Sequence, residues 1–437
     1  MISLFKSRDS ATSNNTAYPH RTSKYQIANQ SDFYIYKKMR TSIITLPNTI
    51  CIRVIKLYQK TLSPDTGVLR FWLKGRVCSH TPHCSQYAVE CLERYGILTA
   101  LEMIIERVSG CVASSHPHYD PSAYRVVFFC SAAIGIPFGE RLVQDKHFEL
   151  VGVVTQPPQA SGRGMVQKDN IISTTALQQR WLSDDQITTP ERIHPDKSET
   201  GRQFAQRLSD LQPDYIVVIA YGKIIPQAIL DIPKIASINV HGSDLPLYRG
   251  ASPIQSSILH NASHTAVTIM QMAAGLDTGD ILSKSQIPLS LTTTTADLIA
   301  TMCRVGPPLL ANTLIALGKW HLQAQPQDHS KATTTSKMIK SDGLVELQTE
   351  SLESLYHKYR AYILRPKVHT RYHHHWVITP MVIEKIVVDE TLREQYKGEM
   401  CMNKDNQLNP AIQQLIIKPA GKKSMTRQDW MRGHQLK

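Results

Sequence analysis

Acidic side chains are in short supply: 36 Asp and Glu face 49 Lys and Arg over 437 residues, a formal net charge of +13. That deficit excludes an acidic solvating chain and favours a polyanionic partner, nucleic acid or anionic lipid. Cysteine is sparse as well. The 8 Cys (51, 78, 84, 91, 111, 130, 303, 401) are too thinly spread for a disulfide scaffold, which points to a reducing, cytoplasmic setting. No secretory leader pattern opens the chain. The longest apolar run, Val126 to Phe138, is short of a membrane span and contains Gly135 and Pro137. What is present is 42% hydrophobic content, enough for ordinary cores, over a length suited to roughly two to four domains.

Residues 1–40 are rich in Ser, Thr, Asn and basic side chains without a core pattern, and read as disordered. Periodicity begins at 49–63. Ile50, Val54, Tyr58 and Leu62 recur at four-residue steps with Cys51 and Ile55 alongside, while Arg53, Lys56 and Lys60 share another face. Such a basic amphipathic helix can lie in a membrane interface on anionic headgroups, or pack on a core. Cys78, Cys84 and Cys111, with His80, His83, His116 and His118, invite a zinc reading. The five residues between Cys78 and Cys84 exceed the usual two to four of a zinc knuckle. The expectation is therefore buried thiols, turn histidines and no metal.

Leu57-Tyr58-Gln59-Lys60, Leu62-Ser63-Pro64, Cys78-Ser79-His80-Thr81-Pro82-His83-Cys84-Ser85-Gln86-Tyr87-Ala88, Glu93-Arg94-Tyr95-Gly96, Arg107-Val108, Cys111, His116-Pro117 and Asp120-Pro121 together resemble the membrane protein insertion efficiency factor family. The resemblance covers about 45–121, with an extra stretch at Val68 to Lys74. It implies a small, mainly α-helical domain over 41–122. That family sits on the cytoplasmic face of the inner membrane through its amphipathic helix and serves the membrane insertion machinery.

From Tyr124 the pattern changes. Arg125 to Cys130, Phe148 to Thr155 and Asp214 to Ala220 read as buried strands alternating with helices, hence a parallel, Rossmann-like α/β sheet over 123–325. Ligands of such sheets bind beyond the carboxyl ends of the strands. There the β-branched run Ile235 to Val240 ends in a Gly/Pro loop. Asn239 and His241, two apart on an extended chain, point to one side. An amide and an imidazole so placed could hold a carbonyl oxygen that turns anionic, and Asp277, on the Gly-flanked loop Gly275 to Asp280, could orient the imidazole.

The string Asn239-Val240-His241-Gly242-Ser243-Asp244-Leu245-Pro246, with Arg249-Gly250, Pro253-Ile254-Gln255, Met270-Gln271-Met272 and Gly275 to Asp280, resembles the methionyl-tRNA formyltransferase family. The resemblance implies catalysis by Asn239, His241 and Asp277. It implies 10-formyltetrahydrofolate as co-substrate along Ser243, Asp244, Leu245 and Pro246, and initiator methionyl-tRNA as acceptor. Asp244 replaces a Leu of the family pattern, and Phe129-Cys130-Ser131-Ala132 has no Gly where the family's first turn has one. Gly162-Arg163-Gly164 resembles the loop in which Arg163 meets the tRNA acceptor end. Residues 325–340 are polar and Thr-rich and read as a linker. Beyond it, 326–437 is expected to carry an OB-like β-barrel. Its Pro419-Ala420-Gly421-Lys422-Lys423-Ser424-Met425 matches the family's closing signature and offers Lys422 and Lys423 to tRNA phosphates. The competing readings are action on another amine and an inactive fusion in which membrane insertion dominates.

Overall fold

The computed structural model describes residues 46–71, 78, 80–109, 118–161, 165–319, 322–374, 377–403 and 407–435. The segment 1–40, Cys111, His116, Arg163 with its two flanking glycines, and Trp376 lie outside the described residues.

The first three helices among the described residues are α1 (Leu46–Lys60), α2 (Cys84–Arg94) and α3 (Ile97–Ser109). The first starts and stops three residues earlier than its periodicity suggests. Ser63 Oγ accepts from the backbone N–H of Asp65 and Thr66, so a turn, followed through Pro64, replaces the last helical turn. Ile52 of α1 packs with Tyr87, Cys91, Leu92, Tyr95 and Met103 in a small core. Buried Asn48 donates to Leu92 O (2.9 Å) and Tyr95 O (3.0 Å), serving carbonyls at the end of α2 that have no helical partner. The stripe expected to face a membrane is bare at Ile50 (54% exposed), Val54 (60%) and Leu62 (64%), while Cys51 and Ile55 beside it pack on the small core. Short strands β1 (His80–Thr81) and β2 (His118–Tyr119) pair in parallel beside these helices.

The central sheet is formed by β3 (Tyr124–Cys130), β4 (Phe148–Val154), β7 (Ile187–Thr188), β8 (Tyr215–Ile219), β9 (Ala236–His241), β11 (His264–Gln271) and β12 (Ile281–Pro288). A hairpin, β5 (Gln159–Ser161) with β6 (Val166–Lys168), and a short strand β10 (Arg249–Gly250) lie outside it. The order is β12-β11-β9-β8-β3-β4-β7. Five neighbours run parallel, and β11 and β12 add an antiparallel edge, so the Rossmann-like expectation holds with a mixed sheet. Helices α4 (Ile136–Gln144) and α5 (Ile171–Gln178) cover one face, and α6 (Glu199–Asp210) and α7 (Gln227–Leu230) the other. After α8 (Pro253–Leu259) comes α9 (Thr295–Gly318), which the sequence reading passed over. It is long and apolar enough to span a membrane by length and composition. Instead Leu298, Met302, Leu310 and Leu314 bury in the same core as β3 and α4.

The first three helices dock on the amino ends of the parallel strands. Arg94 pairs with Glu149 (2.7 Å), Tyr95 Oη donates to Lys146 O (2.7 Å), and Tyr119 Oη donates to Asp214 (2.7 Å). Beyond the 325–340 stretch, which includes β13 (Thr334–Thr335), come α10 (Leu352–Tyr362), α11 (Glu390–Gln395) and α12 (Arg427–Gln435). They flank β14 (His369–His374), β15 (Val377–Val388), β16 (Ile412–Pro419) and β17 (Met425–Thr426). These strands form an antiparallel sheet in sequential order, without pairing between β14 and β17 among the described residues. A small β-sheet stands where the barrel was expected. It is fixed to the central sheet's domain by Thr295 Oγ1, which donates to Ala361 O (2.6 Å), and by Arg360, which reaches Ser290 O and Thr293 O.

Candidate active site

Strand β9 ends at the carboxyl edge of the sheet with Asn239 and His241 on alternate positions, flanked by β8 and β11. Asp277 comes from the loop between β11 and β12 in the left-handed region (φ +52), which Asp tolerates better than most residues. Its carboxylate gathers the site. Asn239 Nδ2 donates to Oδ1 (3.2 Å), Gly250 N donates to Oδ2 (2.8 Å), and His241 Nδ1 lies 3.6 Å from Oδ2. The other ring nitrogen, His241 Nε2, lies 3.0 Å from Tyr248 O. Gly250 (φ +110) cannot be replaced, since a Cβ there would sit 2.3 Å from Thr335 O.

His241 is buried, and burial holds its pKa below the ordinary value, against the Asp277 charge and the Tyr248 carbonyl, which raise it. An imidazolium held charged by Asp277 is therefore not the resting state. The carboxylate stands 3.6 Å from the ring and is already shared with Asn239 and Gly250, so it does not offset desolvation. In a neutral ring the one N–H is at Nε2, donating to Tyr248 O, and Nδ1 presents a lone pair toward Asp277. Asn239 keeps a second amide N–H beyond the one given to Asp277. The arrangement can donate to an oxygen gaining negative charge and can receive a proton nearby.

A formyl transferase family model matches residues 125–314, and the model of the membrane protein insertion efficiency factor family matches residues 47–123. The methionyl-tRNA formyltransferase of Roseiflexus sp. (strain RS-1) is 32% identical over 71% of this chain and 93% of its own length. That of Koribacter versatilis is also 32% identical, over 71% of this chain and 96% of its own length. The chain belongs to the methionyl-tRNA formyltransferase family. Its N-terminal part carries an insertion efficiency factor domain in direct succession. A solved structure of HypX from Aquifex aeolicus in complex with tetrahydrofolic acid superposes with a TM-score of 0.45 at 13% identity, over 72% of this chain and 48% of that one.

Within this formyltransferase the stretch read as a linker runs back across the site. β13 pairs in parallel with β10, and Thr333 Oγ1 accepts from Tyr248 N (2.7 Å). Gln327, buried, donates to Asp277 O (2.9 Å) and Gly279 O (2.6 Å) while its oxygen accepts from Arg249 Nη2 (2.6 Å). Sequence reasoning missed Gln327, Tyr248 and Gly250 as site-building residues. Arg249-Gly250 lay in the quoted motif, but nothing near Gln327 signalled its role.

The four residues expected along the folate divide. Ser243 and Leu245 are buried, and Ser243 Oγ donates to Leu247 O (2.6 Å), so both shape the loop. Asp244 and Pro246 are half-buried. The Asp244 carboxylate meets Lys284 (2.7 Å) and His264 (3.4 Å) across the sheet edge, so its charge is compensated within the fold. At the first turn, Ser131 Oγ accepts from Gln156 N (3.0 Å), while the close approach falls later, at Gly135, where a Cβ would meet Cys130 Sγ. Lys422 lies over the Trp430 ring (4.6 Å), and Lys422 and Lys423 are both exposed. Arg163 lies outside the described residues. Among the described residues, the Cys, His, Asp and Glu groupings close enough to share a metal fall at Asp65, Cys78, His80, His83 and Cys84, away from the Asn239–His241–Asp277 site.

Proposed function

We propose that this chain transfers the formyl group of 10-formyltetrahydrofolate to the amine of methionine on initiator tRNA, with Asn239, His241 and Asp277 as its catalytic residues. The observation that carries it is the convergence of an amide, an imidazole and a backbone N–H on the single carboxylate of Asp277. The neutral amine attacks the formyl carbon; a C–N bond forms and the oxygen becomes anionic. The free N–H of Asn239 meets that oxygen, a contact of about 3 kcal/mol. His241 takes the proton shed by the amine at Nδ1. The resulting imidazolium has an acceptor at each nitrogen, Tyr248 O and Asp277. The carbon–nitrogen bond to the folate then breaks, and that nitrogen leaves with the proton returned to it.

Residues 123–325 form the catalytic domain in this reading. Residues 326–437, as an OB-like barrel presenting Lys422 and Lys423, hold the tRNA together with Arg163. Asp244 and Pro246 border the folate, with Ser243 and Leu245 behind them. No metal enters the chemistry. Residues 41–122 rest on the anionic cytoplasmic face of the membrane through the bare stripe of α1, beside the insertion machinery, with the remainder in the cytoplasm.

The test is formylation of charged initiator tRNA by the purified chain, beside His241→Ala and Asp277→Asn. Both variants should retain the fold and lose turnover. Near wild-type turnover in both removes the mechanism, and formylation of a free amine in preference to charged tRNA removes the substrate.

A further inference from the structure

The loop between α1 and α2 brings together side chains that the formyl transfer does not use. The sulfurs of Cys78 and Cys84 lie 3.4 Å apart. Cys78, His80 and Cys84 have ligand atoms all within 4.8 Å of one another, and Asp65, Cys78 and His83 form a second such group around the same sulfur. Two thiolates on a tetrahedral zinc, at about 2.3 Å each, stand about 3.8 Å apart, close to the spacing seen. The loop is held from outside. His80 lies on β1, paired to β2, and the buried Arg107 guanidinium reaches Pro82 O and Asp120. Cys84 opens α2, and its N–H donates to Cys78 Sγ (3.4 Å), as backbone amides do toward metal-bound thiolates.

A further donor is left over. His83 Nδ1 is buried and has no hydrogen-bond partner among the described residues, an expense a neutral ring avoids when that nitrogen binds something. Asp65 is otherwise engaged, since its Oδ1 accepts from Cys78 N (3.3 Å). Cys78, His83, Cys84 and Asp65 also line a cavity of about 300 Å³, which gives an ion a route in.

We propose that Cys78, His80 and Cys84 bind a thiophilic divalent cation of the zinc class, with His83 as fourth ligand and Asp65 positioning Cys78 from behind. Two sulfurs and two imidazoles suit zinc over magnesium or calcium, which take oxygen ligands. Binding releases the proton of each thiol. The five-residue spacing that argued against a knuckle is bridged by the turn at Thr81-Pro82, which folds His80 and Cys84 back onto Cys78. The site is structural: it staples a domain whose apolar core is small.

The experiment is metal analysis of the full-length chain, with thiol titration before and after chelation and reconstitution with cobalt. The expected result is one equivalent of zinc, thiols that react only after chelation, and thiolate-to-cobalt charge-transfer bands with tetrahedral visible bands. Cys78→Ser and Cys84→Ser should weaken zinc binding by more than about 100-fold, and Asp65→Asn by about 10-fold. His83→Ala should open a coordination position to water and shift the cobalt spectrum. Thiols of Cys78 and Cys84 that react freely before chelation in protein that takes up no zinc or cobalt, a mass lower by two hydrogens from a Cys78–Cys84 disulfide, or zinc retained in the Cys78→Ser, Cys84→Ser double variant would each overturn the proposal. The cobalt spectrum of the unaltered chain decides the matter even where a variant does not fold.

Discussion

At the carboxyl ends of the parallel strands, polar groups are buried and almost all are engaged; in the three opening helices, apolar groups are exposed and few polar ones are buried. Asn239 and His241 meet at the carboxylate of Asp277, while Gln327 donates to the backbone oxygen of Asp277 and accepts from Arg249, all on or under a wide core. Around α1 to α3 the core among the described residues is a cluster of eight buried residues, and Ile50, Val54, Leu57, Leu98 and Ile105 face outward. The difference teaches what core size permits. A broad sheet with helices on both faces can tolerate desolvated dipoles where chemistry needs them. A small helical domain cannot bury all its apolar surface, and what it leaves out becomes a place for something else to bind.

The largest test of that contrast is at Asp277. Asp277→Asn should lower kcat/KM for formyl transfer by about 10³-fold, roughly 4 kcal/mol, with little change in the urea midpoint. A large midpoint shift with retained kcat would make the carboxylate a structural tie. Next is the seam between the two regions. Asp214 is buried and accepts from Arg125 N (2.7 Å) and Tyr119 Oη (2.7 Å), so Asp214→Ala should cost about 3 kcal/mol of stability, read by urea denaturation. Substitution on the bare stripe should do the reverse. Val54→Glu should leave the midpoint within about 0.5 kcal/mol and weaken sedimentation with anionic vesicles by about 10-fold or more. Unchanged sedimentation would end the interfacial reading of α1.

The smallest effect is on pH dependence. His241 has a folded pKa below its ordinary value of about 6.5, so on acidification the unfolded chain takes up the proton first. Stability should fall as pH drops from about 6.5 toward the folded value, by less than about 1.4 kcal/mol per pH unit. His241→Asn should flatten that stretch of a urea-midpoint profile. An identical slope in both proteins would mean that another group carries it.

How much of this was readable in advance varies with the range of the forces involved. Asn239 and His241 were visible because strand alternation is local: two residues apart means one side. The strands at 124–130, 148–154 and 215–219 were visible because sheets covered on both faces read as unbroken apolar runs. Gln327 was not, because its partners are Arg249, 78 positions earlier, and the carbonyls of Asp277 and Gly279. Helix α9 was missed because Pro307 and Pro308 sit inside it and its apolar residues serve more than one neighbour, which blurs the period. The lowered pKa of His241 was not legible for a related reason: one nearby carboxylate is visible in a motif, while the burial of a ring is not. At Cys78 and Cys84, counting intervening residues could not show that the two sulfurs lie 3.4 Å apart, since a turn shortens a distance that spacing alone overstates.

Where the opening helices are fastened has one more consequence. Arg94, Tyr95 and Tyr119 grip the starts of β4, β8 and the loop before them, whereas Asn239 and His241 close the far end of the sheet, roughly 20 Å away along strands of this length. If α1 meets lipid and the acceptor is a tRNA, as we propose, a catalyst moored by its underside would keep its mouth turned to open water, and a folded RNA would approach from above without grazing the bilayer.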